Sequence, residues 1–238
     1  MKSSCDEFST QLNQCIFGEK IKIIDQQENW CYIKLISDGY QGWVKKSSIG
    51  EIGQPTHSIC RNNTLIYQKP SSMSLSIGVL PLEAKIKVKS SNKMWSKFFY
   101  IYKNKNVDAF IFNKNIQNIR NKTADWVATA ETFLNKPYLW GGRTFLGIDC
   151  SGLVQISLQT ALINFPRDTN LQIKFKKGFT EESQLKRGSL VFWEGHVGIM
   201  INPFDMIHAN GFHMRVNIEK LDVVKKRIKS KIIKFINL

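Results

Sequence analysis

Through the first 115 positions apolar and polar residues alternate in short runs. Ile21-Lys22-Ile23 and Ile86-Lys87-Val88 each set apolar side chains two apart, the period of a strand with one buried face. Asp38-Gly39 and Asn-rich stretches punctuate these runs as turns. The pattern also repeats. Lys20-Ile21-Lys22-Ile23-Ile24, Trp30, the run 31–35 and Gly42-Trp43-Val44 recur as Lys85-Ile86-Lys87-Val88, Trp95 and Ala109-Phe110-Ile111-Phe112. Ile21 to Trp30 and Ile86 to Trp95 are the same nine residues apart. Short strands at this spacing predict small closed barrels, because closure leaves no unpaired edge. Two are expected, at 1–52 and 53–116, the second being the more degenerate copy.

From Asn121 the period changes. In 124–134, Trp126, Val127, Ala130, Phe133 and Leu134 fall on one helical stripe, and Asn135-Lys136-Pro137 ends it. The stretch 150–163 predicts a second helix, apolar nearly all round (Leu153, Val154, Ile156, Leu158, Ala161, Leu162) and therefore buried. Strands are expected over 189–193, 196–201 and 206–209, joined by Glu-Gly and Asn-Pro-Phe-Asp turns. Helices followed by antiparallel strands give an α+β domain at 121–238.

Composition narrows the class. The 238 residues are 42% hydrophobic and 11% aromatic, enough to bury a core, which excludes a disordered tail. No run approaches eighteen apolar residues, so no membrane span and no membrane partner are expected. The N-terminal stretch lacks an apolar signal region, from which we expect a chain that starts near Met1 and stays in the cytoplasm. Its five cysteines, at 5, 15, 31, 60 and 150, are odd in number and form no Cys-x-x-Cys pair, which fits neither a disulfide framework nor a zinc site. With 34 Lys+Arg against 19 Asp+Glu the net charge is +15, a balance that invites a nucleic-acid partner. The charge is dispersed, however, except over 219–229, where apolar residues interleave with Lys as in a half-buried element with a solvated face. Nucleic acid is therefore not the expected partner.

The densest chemistry lies in Tyr138-Leu139-Trp140-Gly141-Gly142-Arg143-Thr144-Phe145-Leu146-Gly147-Ile148-Asp149-Cys150-Ser151-Gly152. Its glycines let the backbone turn where a Cβ would not fit, delivering Cys150 to the first position of the buried helix. There the helix dipole favours thiolate, and a lowered thiol pKa is expected. A base must come from four histidines. His196 opens an expected strand, sharing a face with the small Gly198, and His208 lies on the next strand. A register setting both on one face supplies a base and a group to hold its second nitrogen. His57 and His213 have no such companions and are expected to be surface or structural. Asp149-Cys150 and two histidines lack further ligands at zinc spacing, and Gly141-Gly142 is not followed by Lys-Ser or Lys-Thr, so neither metal nor cofactor is expected.

Taken in order, these blocks identify a resemblance. Tyr138-x-Trp140-Gly141-Gly142, Gly147-Ile148-Asp149-Cys150-Ser151-Gly152-Leu153-Val154, Pro166-Arg167-Asp168-Thr169-x-x-Gln172, Gly188-Ser189-Leu190-Val191-Phe192, Gly195-His196-Val197-Gly198-Ile199 and Ile207-His208-Ala209 resemble the NlpC family of cell-wall cysteine peptidases. The resemblance implies a circularly permuted papain-like fold. It implies Cys150 as nucleophile, His196 as general base and then acid, His208 as the group orienting His196, and Tyr138 as an oxyanion donor beside the Cys150 amide. In the N-terminal region, Gly18-Glu19, Lys20-Ile21-Lys22-Ile23, Trp30 and Asp38-Gly39-Tyr40-Gln41-Gly42-Trp43-Val44 resemble bacterial SH3-like domains. The implied architecture is multi-domain, two small SH3-like β-barrels followed by an α+β papain-like domain.

That combination is similar to the γ-D-glutamyl-L-diamino-acid endopeptidases of murein recycling. The resemblance implies a murein tripeptide or tetrapeptide substrate, L-Ala-γ-D-Glu-meso-diaminopimelate, cut after D-Glu and requiring a free L-Ala amine. It implies that Glu7 and Tyr40 of the first barrel meet the amine, with Asp149 and Ser151 at the same end of the substrate and Thr169 near the scissile D-Glu. A Glu7 and Asp149 pair left without its ammonium would be costly, so acylated peptides should be rejected. Thr169 stands where the family more often has Ser. A monomer is expected. Two other functions remain open on the sequence, a secreted wall hydrolase with wall-binding SH3-like domains and a nucleic-acid-binding protein built on SH3-like barrels.

Overall fold

The alternating runs fold as strands. In the computed structural model, which describes residues 1–102 and 105–238, strands β1 (Ile21–Gln27), β2 (Trp30–Leu35) and β3 (Gln41–Lys45) form an antiparallel meander. Along β2, Cys31, Ile33 and Leu35 are fully buried while Tyr32 and Lys34 between them are not, the alternation that binary patterning requires. Met1, Ile21, Tyr40, Val44 and Ile49 close over this core. The Asp38-Gly39 turn forms as expected: Gly39 adopts φ 78°, and the Tyr40 amide donates to the Asp38 carboxylate at 2.9 Å.

Eight further strands follow: β4 (His57–Ile59), β5 (Thr64–Tyr67), β6 (Ser76–Leu80), β7 (Lys85–Ile86), β8 (Val88–Ser91), β9 (Trp95–Tyr102), β10 (Lys105–Phe112) and β11 (Ile116–Asn118). They build a five-stranded sheet in the order β6-β5-β10-β9-β8 and a three-stranded sheet in the order β11-β4-β7. The sequence repeat is visible in the backbone. Trp30 opens β2 opposite Lys45 of β3, and Trp95 opens β9 opposite Phe112 of β10. The first meander and the later strands pack together in one compact unit, Met1–Asn121. Within it the Lys85 amide donates to the Phe17 carbonyl at 2.8 Å, and Gly18, at φ 79°, lies so close to the Lys85 carbonyl that no Cβ would fit.

The second unit, Lys122–Leu238, holds helices α1 (Trp126–Glu131), α2 (Cys150–Thr160), α3 (Thr169–Gln172) and α4 (Leu221–Arg227). Its strands are the short pair β12 (Arg143–Thr144) and β13 (Gly147–Ile148), then β14 (Leu190–Trp193), β15 (His196–Met200), β16 (Asp205–Asn210), β17 (Arg215–Lys220) and β18 (Lys234–Ile236). The last five form an antiparallel sheet in the order β17-β16-β15-β14-β18, and α2 packs on β15 and β16.

Both helices expected from the sequence, α1 and α2, are shorter than their apolar patterns. Asp125 accepts from the amides of Val127 and Ala128 and so starts α1 at Trp126. The following turn is tightened by bonds from Thr132 to Thr129 and from Phe133 to Ala130, and Asn135 at φ 65° ends it with Leu134 exposed. Helix α2 stops three residues before the expected end, because Leu162 takes φ 59° and points to solvent. The basic segment 219–229 forms the end of β17 and all of α4, burying Leu221 and Val224 against Trp193, Met200, Met206 and Phe235 while Lys226 and Lys229 stay exposed. Among the described residues, no helix is long and apolar enough to cross a membrane.

Candidate active site

Two close backbone approaches set Cys150 in place. Gly142 abuts the Gly147 carbonyl and Gly152 abuts the Gly142 carbonyl, with no room for a Cβ at either glycine. The loop before Cys150 is thereby pressed onto the first turn of α2. Asp149 caps that turn: its Oδ1 accepts from the Gly152 amide at 2.7 Å and its Oδ2 from the Gly141 amide at 2.7 Å. Arg167, 2% exposed, closes the cluster. Its Nη1 donates to Asp149 Oδ1 at 2.9 Å and to Ser151 Oγ at 2.8 Å, and its Nη2 to Asp149 Oδ2 at 2.7 Å and the Gly142 carbonyl at 3.3 Å. Gln172 of α3 adds a bond to the Ser151 carbonyl at 3.0 Å.

The Cys150 thiol is not lowered in pKa as its place at a helix start suggested. Burial pushes it up to about 11, and the Asp149 carboxylate adds to the rise; hydrogen bonds with the Val197 amide, Thr169 and the Ser151 amide pull the other way without prevailing. Desolvation of the anion outweighs the dipole of this helix. The resting group is a neutral thiol.

On the sheet, a two-residue turn with Gly195 at φ 68° joins β14 to β15, so that His196 starts the strand opposite Trp193. Ile199 faces Ile207 and Met200 faces Met206, a register that sets His196, Gly198 and His208 on one face. His196 Nε2 and His208 Nδ1 lie 2.8 Å apart. Burial, then the neighbouring His208 and Arg227, hold the His196 imidazole down to about 3, and burial lowers His208 as well. Both shifts favour the neutral imidazole. The Val197 amide reaches the Cys150 sulfur, so the strand that carries His196 runs directly beside the thiol.

The other expected site residues fall into different surroundings. Tyr138 lies near Cys150 and Asp149; burial first, then these two groups, push its phenol up to about 12, leaving it a hydrogen-bond donor. Thr169 Oγ1 is 4.0 Å from Cys150 Sγ. Asp149 and Ser151 were expected to face the substrate amine, but both are buried and already engaged by Arg167, so an unpaired carboxylate does not exist at Asp149. In the first unit, Glu7 is exposed and forms an ion pair with Lys45, so it too has a cation already. Tyr40 is half-buried against the β2 core, with its hydroxyl 3.4 Å from the Leu12 carbonyl.

Sequence reasoning passed over two groups here. Arg167 lies in the Pro166-Arg167-Asp168-Thr169 motif, yet nothing in its spacing predicts burial against Asp149. Glu219 lies 2.9 Å from His208 Nε2 and is gripped by Arg227 through two bonds of 2.6 Å. It heads the basic segment 219–229, whose pattern of apolar residues interleaved with Lys predicts a half-buried element with a solvated face and gives no sign of a buried carboxylate. His213, expected to be without companions, has its Nε2 3.3 Å from Glu219 Oε1.

Both ends of the chain are similar to known proteins. Residues 135–233 match the NlpC/P60 family, and residues 2–49 match the bacterial dipeptidyl-peptidase SH3 domain. The chain is 28% identical over 221 residues to a Bacillus subtilis protein named gamma-D-glutamyl-L-lysine dipeptidyl-peptidase, covering 82% of this chain and 71% of that one. It is 24% identical to a Bacillus cereus protein of the same name, over 88% of this chain and 70% of the relative. In three dimensions it superposes on the crystal structure of an NlpC/P60 family protein from Bacillus cereus with a TM-score of 0.76 at 20% identity, covering 93% of this chain and 80% of that one. Residues 135–233 are thus an NlpC/P60 cysteine peptidase domain, preceded at residues 2–49 by a bacterial dipeptidyl-peptidase SH3 domain.

Proposed function

We propose that the chain hydrolyses the bond between γ-D-Glu and the following diamino acid in murein peptides that carry a free N-terminal L-Ala, as a step of wall-peptide recycling in the cytoplasm. The observation that carries the chemistry is the buried, neutral thiol beside the His196 strand, with His196 bonded to His208 at 2.8 Å. The two Bacillus relatives, named gamma-D-glutamyl-L-lysine dipeptidyl-peptidase, support the substrate class and the removal of an N-terminal dipeptide, which calls for a free amine.

In this reaction His196 takes the Cys150 proton as sulfur attacks the D-Glu γ-carbonyl, since two neutral groups exchange one proton more easily than a buried thiolate persists alone. The Tyr138 hydroxyl and the Cys150 amide hold the developing oxyanion. His196 then returns the proton to the leaving amine, and the thioester is hydrolysed by a water that His196 deprotonates. Thr169 lies on the D-Glu side. Glu7 and Tyr40 serve the L-Ala amine. Glu7 meets it by exchanging its exposed partner Lys45 for the substrate ammonium, while Asp149 and Ser151 act on that end of the substrate through the loop that they fix. We assign 53–116 as a second, degenerate SH3-like barrel on the strength of the shared Trp-led hairpins; the circularly permuted papain-like fold of the peptidase domain rests on the resemblance of its motif blocks alone.

The test is turnover of L-Ala-γ-D-Glu-meso-diaminopimelate and its L-Lys counterpart. Cys150→Ala should leave a folded protein with no measurable hydrolysis, and N-acetylation of the L-Ala should abolish cleavage by the wild type. Turnover by the Cys150 variant would refute the nucleophile. Unimpaired cleavage of the acetylated peptide would instead favour a hydrolase of intact wall stems.

A further inference from the structure

The histidine pair has a third partner on its far side. His208 lies opposite Asn217 in the β16–β17 ladder, so Glu219, two residues on, shares its face as a diagonal neighbour within reach of a long side chain. Glu219 Oε2 lies 2.9 Å from His208 Nε2. Helix α4 starts at Leu221 and brings Arg227 back over the strand, where its two amino groups grip both Glu219 oxygens at 2.6 Å and its guanidinium lies 4.5 Å over the Phe212 ring. His213 Nε2 stands 3.3 Å from the other oxygen. Glu219 is nearly buried, its side chain 10% exposed.

These contacts decide a proton's position. An ionised carboxylate only accepts, so His208 must carry its proton on Nε2 when it faces Glu219. Its Nδ1 is then a lone pair, and the 2.8 Å contact requires His196 to donate from Nε2. That leaves His196 Nδ1 unprotonated, free to take the thiol proton. A rival exists. The amide nitrogen of Asn210 lies 3.1 Å from the same His208 Nε2, and the Asn210 oxygen accepts from the His213 amide at 2.8 Å, which fixes the amide's orientation. Nitrogen donating to Nε2 would force the opposite tautomers and leave a proton on His196 Nδ1, where it blocks the base. A charge-assisted bond at 2.9 Å outweighs a neutral one at 3.1 Å.

We propose that Glu219, clamped by Arg227, is a positioning residue that sets the tautomers of His208 and His196 so that His196 Nδ1 can act as base. The proposal rests on the peptidase function proposed above. Resonances of the ring nitrogens in ¹⁵N-histidine-labelled full-length protein near neutral pH test it without any substitution. Protons on Nε2 of both rings are expected; a proton on Nδ1 of either would overturn it. In Glu219→Gln, an amide nitrogen can donate to His208, so kcat should fall roughly 100-fold or more while KM stays within about twofold, because a misplaced proton stops chemistry and leaves binding intact. The ring nitrogens of that variant should show His196 shifted toward Nδ1–H. A kcat within about threefold of wild type, or unchanged tautomers, would overturn the assignment. Cys150→Ala run alongside separates the two failures: if it is inactive while Glu219→Gln is active, only the role of Glu219 falls, and if it is active the peptidase mechanism itself falls.

Discussion

Glu7 and Asp149, the two carboxylates expected to share an ammonium, live in opposite environments. Glu7 is exposed on the first unit and paired with the likewise exposed Lys45, a contact that solvent and salt screen. Asp149 is sealed under the start of α2 with Arg167, which is 1% exposed at its side chain, and bonds two loop and helix amides as well. The same residue chemistry therefore does two jobs. At the surface a carboxylate can exchange one cation for another at little cost, as recognition of a substrate requires. In the interior it cannot, and it becomes part of the frame that holds the nucleophile.

The contrast can be broken most severely at its buried end. Arg167→Met strands the Asp149 charge, and chemical denaturation should show a loss of about 3–5 kcal/mol. The double variant Arg167→Met with Asp149→Leu should recover part of it, the interaction appearing as non-additivity in a double-mutant cycle.

Acid should come next. His196 is held at about 3 in the fold and returns to the ordinary imidazole range near 6.5 when unfolded. Between those values the unfolded chain binds the extra proton, so stability present above pH 6.5 is lost progressively as pH falls toward 3. His208, also lowered, adds to the slope. The urea midpoint followed from pH 7 to 4 should fall in the wild type and fall less in His196→Gln.

A smaller effect tests the exposed carboxylate. Glu7→Gln should raise KM for the free-amine peptide about tenfold, the loss of one charged hydrogen bond, with stability unchanged. Smallest of all, Lys45→Ala should shift stability by under about 1 kcal/mol, and the shift should vanish in high salt. A large stability loss in Lys45→Ala would show that the exposed pair is structural and would erase the contrast with Asp149.

Much of this was readable along the chain, and the misses share a cause. Alternation at Cys31, Ile33 and Leu35, the Asp38-Gly39 turn and the strand pair bearing His196 and His208 all follow from local period and turn chemistry. So does the start of α2 at Cys150. Helix ends were misjudged where one backbone angle, at Asn135 or Leu162, overrode an apolar pattern that continued past it. The thiol's environment was misjudged because a dipole is visible in sequence, whereas the depth of burial opposing it depends on segments far along the chain. Arg167 and Glu219 were missed for the same reason: their partners are 18 and 11 positions away, across a fold that no local spacing reports.

The buried thiol also bears on how this enzyme withstands oxidants. Peroxides and disulfides attack thiolate, and the burial that pushes the Cys150 thiol up makes that form scarce near neutral pH. Cys5 and Cys15, both exposed, stand nearer to any oxidant in solution than the nucleophile does. A peptidase that keeps Cys150 as a protonated thiol until His196 draws off its proton is spared sulfenic acid formation between turnovers, so that its idle lifetime and its reactivity toward substrate are governed by different states of one sulfur atom.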